Sequence, residues 1–308
     1  MPRWRSLRLV AADAATVRFS LRAGHLARAA PPDQILFGLF LPGAELMLAT
    51  SLHGIEECGE RQMLAEHLDR LLSDDLLLLD RGYPSPWLVA LLNDRAISFC
   101  TRVEKAGDGG FACVRAFLRS GLDEQVVTLN APSKRDAPTT SLPTRQQVRL
   151  VRHVAPNGKV RVLMTNLFDT RRFPASAFGD LYHKRWPIEE AFKRLKHRLN
   201  LEHVSGLSQQ SVVQDVAAKI MCDNLQTLAG LTAHDQADLR AVERINHAYA
   251  HTALKPVMPA LLLGMKVAKH LRGVLKLLAK HTYLHRENQS KPRKSRPKSH
   301  KFMTQKPC

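Results

Sequence analysis

The chain has 308 residues, a length typical of one large domain or two ordinary ones. Hydrophobic residues make up 44% of it, enough for a real core, which excludes a disordered tail protein. The 46 Lys and Arg outnumber the 28 Asp and Glu and give a net charge of +18. Such a field attracts polyanions, DNA or RNA first, with an ordinary basic surface as the alternative.

The cysteines and the lengths of the apolar runs predict a cytoplasmic location. Five scattered cysteines, none with CxxC spacing, predict reduced thiols rather than a disulfide framework or a zinc ribbon. No apolar run approaches the roughly 20 residues that a membrane span needs. The first ten residues lack the apolar stretch of a secretory signal. We therefore expect a cytoplasmic protein without a membrane partner.

The first elements follow from apolar periodicity. Residues 6–21 alternate apolar and other residues, which predicts two short strands with a turn near Asp13. A further strand or pair is expected around 44–52, and a helix over 59–72. In the period of a strand, Asp13 ends an apolar row. A carboxylate in that place suggests that it has a partner.

Four leucines at 76–79, followed by Asp80, predict a central strand buried on both faces. A helix over 85–94 comes next, and Ser85 is suited to cap it. Residues 96–102 are predicted to form another strand. Strands alternating with helices indicate an α/β sheet.

Composition divides the rest of the chain. Short alternating pieces broken by Gly, Asp, Thr and Pro predict a β-rich insertion, with strands at 112–118, 125–129, 147–154 and 159–166. Helices are expected from about 175 to 200, at 208–230, and at 237–280 with a break near Pro256 and Pro259. The predicted segments are a first core part at 1–102, the insertion at 103–170, a second core part at 171–232, a helical region at 233–280 and a disordered basic tail at 281–308.

The helix after residue 175 carries the most informative pattern. At 100° per residue, one face presents Tyr182, Arg185, Glu189 and Lys196 beside an apolar stripe. Pro187 predicts either a kink or the first turn of a new helix. An ordinary amphipathic helix, with ion pairs from Glu189 to Arg185 or to a lysine one turn on, is the structural alternative.

Three carboxylates on separate elements suggest metal chemistry. Asp13, Asp80 and Glu189 offer the oxygen ligands that magnesium prefers. Two such ions about 3.5–4 Å apart clamp the attacking and leaving oxygens in phosphodiester reactions. Arg185 and Lys196 are suited to phosphates, since one forms paired hydrogen bonds and the other is a point charge.

These residues resemble a known family. The spacing Tyr-x2-Arg-x3-Glu-x6-Lys is similar to the YREK signature of bacterial insertion-sequence DDE transposases of family 4. Residues 79–85, LDRGYPS, resemble the second-aspartate motif of that family, and residues 8–19 resemble its first-aspartate region. Thr165-Asn166-Leu167 also fits the pattern before the signature helix. The resemblance covers roughly residues 5–230.

The resemblance implies a ribonuclease-H-like catalytic core with a β-rich insertion, followed by C-terminal helices and a basic tail. It implies a transposase that cuts and joins double-stranded transposon-end DNA by two-metal phosphodiester hydrolysis and transfers it to target DNA, as a homodimer in a synaptic complex. The cofactor implied is two Mg2+ ions, with Mn2+ as a substitute. The implied catalytic and metal residues are Asp13, Asp80 and Glu189. The implied DNA-binding residues are Tyr182, Arg185, Lys193 and Lys196.

Two alternatives stay open. Relatives carry an N-terminal DNA-binding segment before the first aspartate, whereas twelve residues precede Asp13 here. The chain is then either a transposase with a truncated or misplaced start, or an inactive, N-terminally truncated DNA-binding remnant. A ribonuclease-H-like nuclease, which cuts but never joins, is the second alternative.

Overall fold

The computed structural model describes residues 2–19, 29–103, 111–129, 145–155, 158–240 and 242–284. The chain divides into two compact units. The first comprises Met1–Arg18 and Asp33–His197, and the second comprises Phe19–Pro32 and Arg198–Cys308.

The first unit is a mixed α/β structure built on a large sheet. Its elements in chain order are β1 Arg8–Arg18, β2 Asp33–Leu41, β3 Leu46–Gly54, α1 Glu60–Ala65, β4 Asp75–Leu79, α2 Pro86–Asp94, β5 Ser98–Val103, α3 Ala112–Ser120, β6 Glu124–Leu129, β7 Gln146–Val154, β8 Val160–Thr165, α4 Phe178–His183 and α5 Pro187–Arg198. Within the described residues, the strands follow the order β3-β2-β1-β4-β5-β8-β7-β6. The pairs β1–β4 and β4–β5 are parallel, and the other neighbours are antiparallel.

Strand β4 lies at the centre of this sheet. All five of its residues are buried, as predicted for a strand covered on both faces. Leu77 and Leu79 join a core cluster that also takes in Leu88 of α2 and Met63 of α1. Each such side chain contributes about 1.5–3 kcal/mol through burial. The helix after β4 begins as predicted, because Ser85 Oγ accepts a hydrogen bond from the Leu88 amide.

Asn166, directly after β8, forms hydrogen bonds to the backbone at the start of β5. Its Oδ1 accepts from the Phe99 amide at 3.0 Å, and its Nδ2 donates to the Ile97 carbonyl at 2.9 Å. Thr165 adds a hydrogen bond of 2.6 Å to the Phe99 carbonyl. These bonds satisfy backbone groups where the antiparallel pair β5–β8 begins.

A glycine lets α5 approach the sheet closely. Gly38 is paired with Asp13 between β2 and β1. A methyl group at Gly38 would lie 3.2 Å from Phe192 Cζ and 3.4 Å from Met47 Sδ, closer than ordinary contact. The absent side chain therefore leaves room for Phe192, which packs α5 against β2 at the residue paired with Asp13.

The second unit is mainly helical. Its elements are α6 Gln209–Gln236, β9 Glu243–Ile245, α7 His247–Leu254, α8 Met258–Leu262, α9 Val267–Lys280 and β10 Thr282–Leu284. Strands β9 and β10 pair antiparallel. A small core made of Ala233, Ile245, Leu254 and Leu278 among others lies between its helices.

Two strand predictions in the first unit are wrong. Residues 8–18 form one strand without a turn at Asp13, because the ladder with β2 runs unbroken past it. Residues 112–118 lie in helix α3 rather than a strand. Val114 and Phe117 are buried three residues apart on one helical face, and Gly121 ends the helix with a φ of 74°. A short apolar segment of this kind fits both the strand period and the helix period, and here the burial pattern is that of a helix.

Other boundaries differ from those predicted. Strand β2 was not expected, and β9 replaces part of the helix predicted over 237–280. The helix predicted from 175 to 200 is two helices, and Pro187 begins the second, as one of the two interpretations held. Residues 282–284 form β10, and the rest of the predicted tail lies outside the described residues. Strands β6, β7 and β8 fall in the predicted insertion and continue the central sheet.

Replacing Gly38 with valine is expected to destabilise the first unit by about 1–3 kcal/mol, because the branched side chain overlaps Phe192. Urea unfolding at equilibrium measures the change. The double variant Gly38→Val/Phe192→Leu should lose less than the sum of the single changes, by at least about 0.5 kcal/mol. Gly59→Val, where nothing lies within 4 Å of the new Cβ, is the control. If the changes in unfolding free energy at positions 38 and 192 were strictly additive, the close approach of Phe192 to Gly38 would be contradicted.

Candidate active site

The register of the parallel strands places Asp13 and Asp80 side by side. Ala11 of β1 pairs with Leu78 of β4. Continuing this register by two residues brings Asp13 level with Asp80, on the same face as those partners, and neighbouring strands lie about 4.8 Å apart. Asp13 lies within β1 rather than at its end, whereas Asp80 directly follows β4.

Local hydrogen bonds orient Asp80. Its Oδ1 accepts from the Gly82 amide at 2.7 Å, and its carbonyl accepts from Thr101 Oγ1 at 3.0 Å. From α1, Arg61 donates to the carbonyls of Tyr83 and Gly82 at 2.9 and 3.0 Å. Arg61 and Thr101 therefore hold the loop after β4 through its backbone carbonyls. The hydrogen bond from the Gly82 amide orients one carboxylate oxygen of Asp80.

Arg185 joins the first aspartate to the glutamate. Its Nη1 donates to Asp13 Oδ2 at 3.2 Å, and its Nη2 donates to Glu189 Oε1 at 2.6 Å. The Arg185 side chain is only 8% exposed, and those of Asp13 and Glu189 are 17% and 30% exposed. The turn between α4 and α5 carries Arg185, so the i,i+4 pair with Glu189 forms although the two residues do not share one helix.

The pKa of Asp13 depends on burial and on the charges of the other acidic residues. Burial raises the pKa of Asp13 to about 6, and the charges of Asp80 and Glu189 act in the same direction. Arg185 and the Ala14 amide oppose this rise without cancelling it. The three predicted carboxylates are therefore close enough to interact.

The remaining predicted residues lie on the same helices. Tyr182 is buried, and burial raises the pKa of its phenol to about 12. The Lys196 ammonium donates to the Thr16 carbonyl of β1. Lys193 pairs with Glu190 at 2.5 Å rather than with Glu189. A cavity of about 720 Å³ lies beside this helix pair, and the half-exposed Trp186 lines it.

Sequence patterns assigned no role of their own to three residues near Asp80. Glu60 begins α1, and burial together with the charges of Asp80 and Asp13 raises its pKa. Arg61 holds the Asp80 loop, as described above. Tyr83 is fully buried next to that loop. An acidic residue in the first turn of a helix is common, so nothing in the sequence distinguished Glu60.

The donor chemistry of this site fits a hard divalent cation. Asp13, Asp80 and Glu189 supply carboxylate oxygens, and the raised pKa of Asp13 shows that further positive charge would stabilise its ionised form. In the part of the chain that the structure describes, no three His, Cys, Asp or Glu side chains are positioned to hold an ion together. Arg185 occupies two of the carboxylates, so these side chains would have to turn before they could share a cation.

Comparison with known proteins identifies the family. The profile of the family described as "Transposase DDE domain" matches residues 36–225, more than half of the chain. The chain belongs to this family. Its resemblance to insertion-sequence DDE transposases is thereby confirmed. The matched range contains Asp80 and Glu189 and begins after Asp13.

The individual proteins to which the chain is similar are distant in sequence. "Transposase InsG for insertion sequence element IS4" from Escherichia coli (strain K12) is 24% identical over 181 residues, which cover 58% of the chain and 40% of the relative. A solved structure of a piggyBac transposase synaptic complex with hairpin DNA is similar over 92% of the chain and 59% of its own chain, at 10% identity and a TM-score of 0.48. The chain thus spans less than two thirds of either relative. Of the described helices, none has the length and apolarity to cross a membrane.

Asp13 makes the stability of the first unit depend on pH. Because folding raises the pKa of Asp13 to about 6, its contribution to stability is fully present below the unfolded pKa and is lost as pH rises through 6. Relative to Asp13→Asn, the wild type should therefore lose about 1–3 kcal/mol between pH 4 and pH 7 in EDTA. Chemical unfolding across this pH range measures the difference.

Asp74 provides a control of opposite sign. The hydrogen bond from Arg3 lowers the pKa of Asp74, so its contribution is present above the unfolded pKa and is lost as pH falls. The wild type minus Asp74→Asn difference should rise with pH, although this carboxylate is exposed and the effect is small. If the wild type minus variant difference in the free energy of unfolding changed with pH in the same direction for Asp13→Asn and Asp74→Asn, the assigned surroundings of Asp13 would be contradicted.

Proposed function

We propose that this chain is the catalytic part of a DNA transposase, which cuts and joins transposon-end DNA by two-metal phosphodiester hydrolysis and strand transfer. The observation that carries the proposal is that Arg185 bonds both Asp13 and Glu189 while the charge of Asp80 acts on Asp13, in a chain of the DDE transposase family. A ribonuclease-H-like core is the fold we propose for the first unit, and its mixed sheet with the central strand β4 is consistent with it.

Each residue of the site has a distinct task in this proposal. Asp13, Asp80 and Glu189 hold the cations, Mg2+ by preference with Mn2+ as a substitute. The cations supply charge stabilisation for the attacking and leaving oxygens of the phosphodiester. The hydrogen bond from the Gly82 amide keeps Asp80 oriented. Arg185 holds Asp13 and Glu189 at one place, and it is suited to accept a phosphate as an alternative partner.

The proposed substrate is double-stranded DNA, both transposon ends and target. The net charge of +18 gives the affinity for a polyanion. We propose Lys193 and Lys196 on α5 as phosphate contacts beside Glu189, with Tyr182 and Arg185 behind them. We also propose a homodimer in a synaptic complex, because two transposon ends must be held together before they are joined. A cytoplasmic location is part of the same proposal.

Removing one carboxylate is expected to stop the chemistry and leave DNA binding. Asp80→Asn and Glu189→Gln should each lower Mg2+-dependent cleavage of element-end DNA by at least about a thousandfold, because groups that act as a unit lose most of their effect when one is removed. Binding of the same duplex, measured by fluorescence anisotropy, should change less than about threefold. Glu190→Gln, the adjacent exposed carboxylate, is the matched control.

The products of this experiment separate the alternatives. Joined strands in the wild-type reaction support a transposase, whereas cut ends that never join indicate a nuclease. A wild type that binds DNA but cleaves no element end under any Mg2+ or Mn2+ concentration is the inactive remnant. In that case the proposed catalytic roles are wrong.

The salt dependence of binding tests the phosphate contacts. Each phosphate contact contributes about 0.9 to the slope of log K against log salt for duplex DNA. Lys196→Ala should therefore reduce the slope by about 1 and weaken binding equally for all sequences. Lys196→Arg should keep the slope. An unchanged slope in the alanine variant would show that Lys196 does not contact a phosphate.

A further inference from the structure

The residues before β1 form a tight turn with an unusual backbone. Trp4 and Leu7 exchange two backbone hydrogen bonds of 2.9 Å, and the two residues between them, Arg5 and Ser6, have φ values of 48° and 70°. Turns with two positive φ angles usually carry Asn or Gly, because this region crowds a larger side chain against the backbone. The turn nevertheless presents Arg5 at its exposed tip.

The loop between β8 and α4 contacts this turn. Arg5 Nη1 donates to the Arg172 carbonyl at 2.7 Å, and Arg172 Nη2 donates to the Arg5 carbonyl at 3.1 Å. The Trp4 ring stacks on the Phe173 ring, with centroids 5.5 Å apart. The guanidinium carbon of Arg5 lies 5.8 Å from the centre of the Trp4 ring, and that of Arg172 lies 4.9 Å from the centre of the Phe173 ring. Aromatic rings and reciprocal hydrogen bonds therefore hold the two arginines beside each other.

Arg5, Arg171 and Arg172 form an exposed arginine patch. None of the three makes an ion pair with a residue that the structure describes, and the acid nearest in sequence, Asp169, has a different use. Its Oδ1 accepts hydrogen bonds of 3.0 Å from the amides of Arg171 and Arg172, so it shapes the turn of the loop. The patch therefore keeps most of its positive charge.

The arginine patch lies at the end of the sheet opposite to the candidate active site. Strands β1 and β4 are parallel, and Arg8 at the start of β1 pairs with Asp75 at the start of β4. Asp13 lies five residues further along β1, about 17 Å at 3.3 Å per residue. Strand β8 runs in the opposite direction, so the loop after it returns to the start of β1. A phosphate at the patch is therefore a different phosphate from one at the carboxylates.

A purely structural role explains these arginines less well. One donor from each side chain is enough to join the turn to the loop, and a glutamine could supply it. A guanidinium has five N–H donors, and Arg5 and Arg172 each use one of them in a hydrogen bond with a described residue. Exposed guanidiniums with further donors are suited to phosphate oxygens, which they engage through paired hydrogen bonds.

We propose that the arginine patch is a second binding surface for the phosphate backbone of duplex DNA, separate from the cation site. The choice of DNA as the polyanion rests on the proposed function. Contacts of this kind position a duplex without reading its bases, so binding at the patch is independent of sequence. Because the patch lies at the far end of the sheet, it holds phosphates other than the one that reacts.

Modification of arginines in the full chain tests this surface directly. Phenylglyoxal reacts with exposed guanidiniums, and mass spectrometry of the peptides gives the rate at each arginine. Saturating duplex DNA of random sequence is added in EDTA, which prevents metal-dependent cleavage. Modification of Arg5, Arg171 and Arg172 should slow by at least about fivefold, because bound phosphates engage the guanidiniums. Arg115 and Arg119, which are exposed on α3, should change by less than about twofold.

The salt dependence of duplex binding gives an independent measurement. Arg171→Gln leaves the contact between the turn and the loop intact, so it should keep the thermal midpoint and reduce the slope of log K against log salt by about 0.9. Arg5→Gln/Arg172→Gln should reduce the slope by about 1.8, and Arg5→Lys/Arg172→Lys should restore most of it. Arg119→Gln, with the same loss of charge as Arg171→Gln, should change the slope by less than about 0.3. Should the double glutamine variant unfold, Arg171→Gln and the modification rates still decide.

The possible outcomes separate this surface from the proposed function. If Lys196→Ala lowers the slope while duplex leaves the patch unprotected, the patch does not bind DNA and the proposed function stands. Protection by heparin without protection by duplex assigns the patch to another polyanion and overturns the proposal in the same way. If the wild type binds no duplex, the patch and the proposed function are both wrong. Protection by duplex in a chain that cleaves no DNA supports the patch and contradicts only the catalytic roles.

Discussion

Crowding of carboxylates in a half-buried place is the constraint on which the site depends. At about 4 Å and an effective dielectric constant near 20, two like charges repel by roughly 4 kcal/mol. The Arg185 guanidinium counters this by bonding Asp13 and Glu189, which are 176 positions apart in numbering, at 3.2 and 2.6 Å. Burial still prevails, since the pKa of Asp13 stays at about 6. The acidic groups are therefore held together by the fold and only partly stabilised by their own contacts.

The fold brings these groups together by three separate means. Parallel pairing of β1 with β4 sets Asp13 level with Asp80. The missing side chain at Gly38 lets Phe192 of helix α5, the helix that carries Glu189, approach strand β2 at the residue paired with Asp13. Hydrogen bonds from Arg61 and Gly82 then fix the loop after β4. Each device is local, and together they place residues from three distant segments in one site.

Sequence patterns predicted the central strand and the helix capped by Ser85, because four adjacent leucines and a capping residue are local signals. The catalytic roles of Asp13, Asp80 and Glu189 stay a prediction. The same patterns missed β2, took β1 for two strands and took residues 112–118 for a strand. Short apolar pieces fit both periods, and only packing decides between them. Sequence patterns did not place Glu60 near Asp80 for a related reason. Its proximity to Asp80 follows from the tertiary bonds of Arg61, which leave no trace in the order of residues.

The buried core around the site offsets the energetic cost of the site itself. Like-charged carboxylates and the buried Tyr83 hydroxyl, which has no hydrogen-bond partner among the described residues, each reduce stability, and such costs are usual where residues serve chemistry rather than folding. The five fully buried residues of β4 and the core around them act in the opposite direction. A looser sheet would let Asp13, Asp80 and Glu60 move apart and lower their repulsion. Their closeness therefore requires a core whose packing free energy exceeds the gain from separating them.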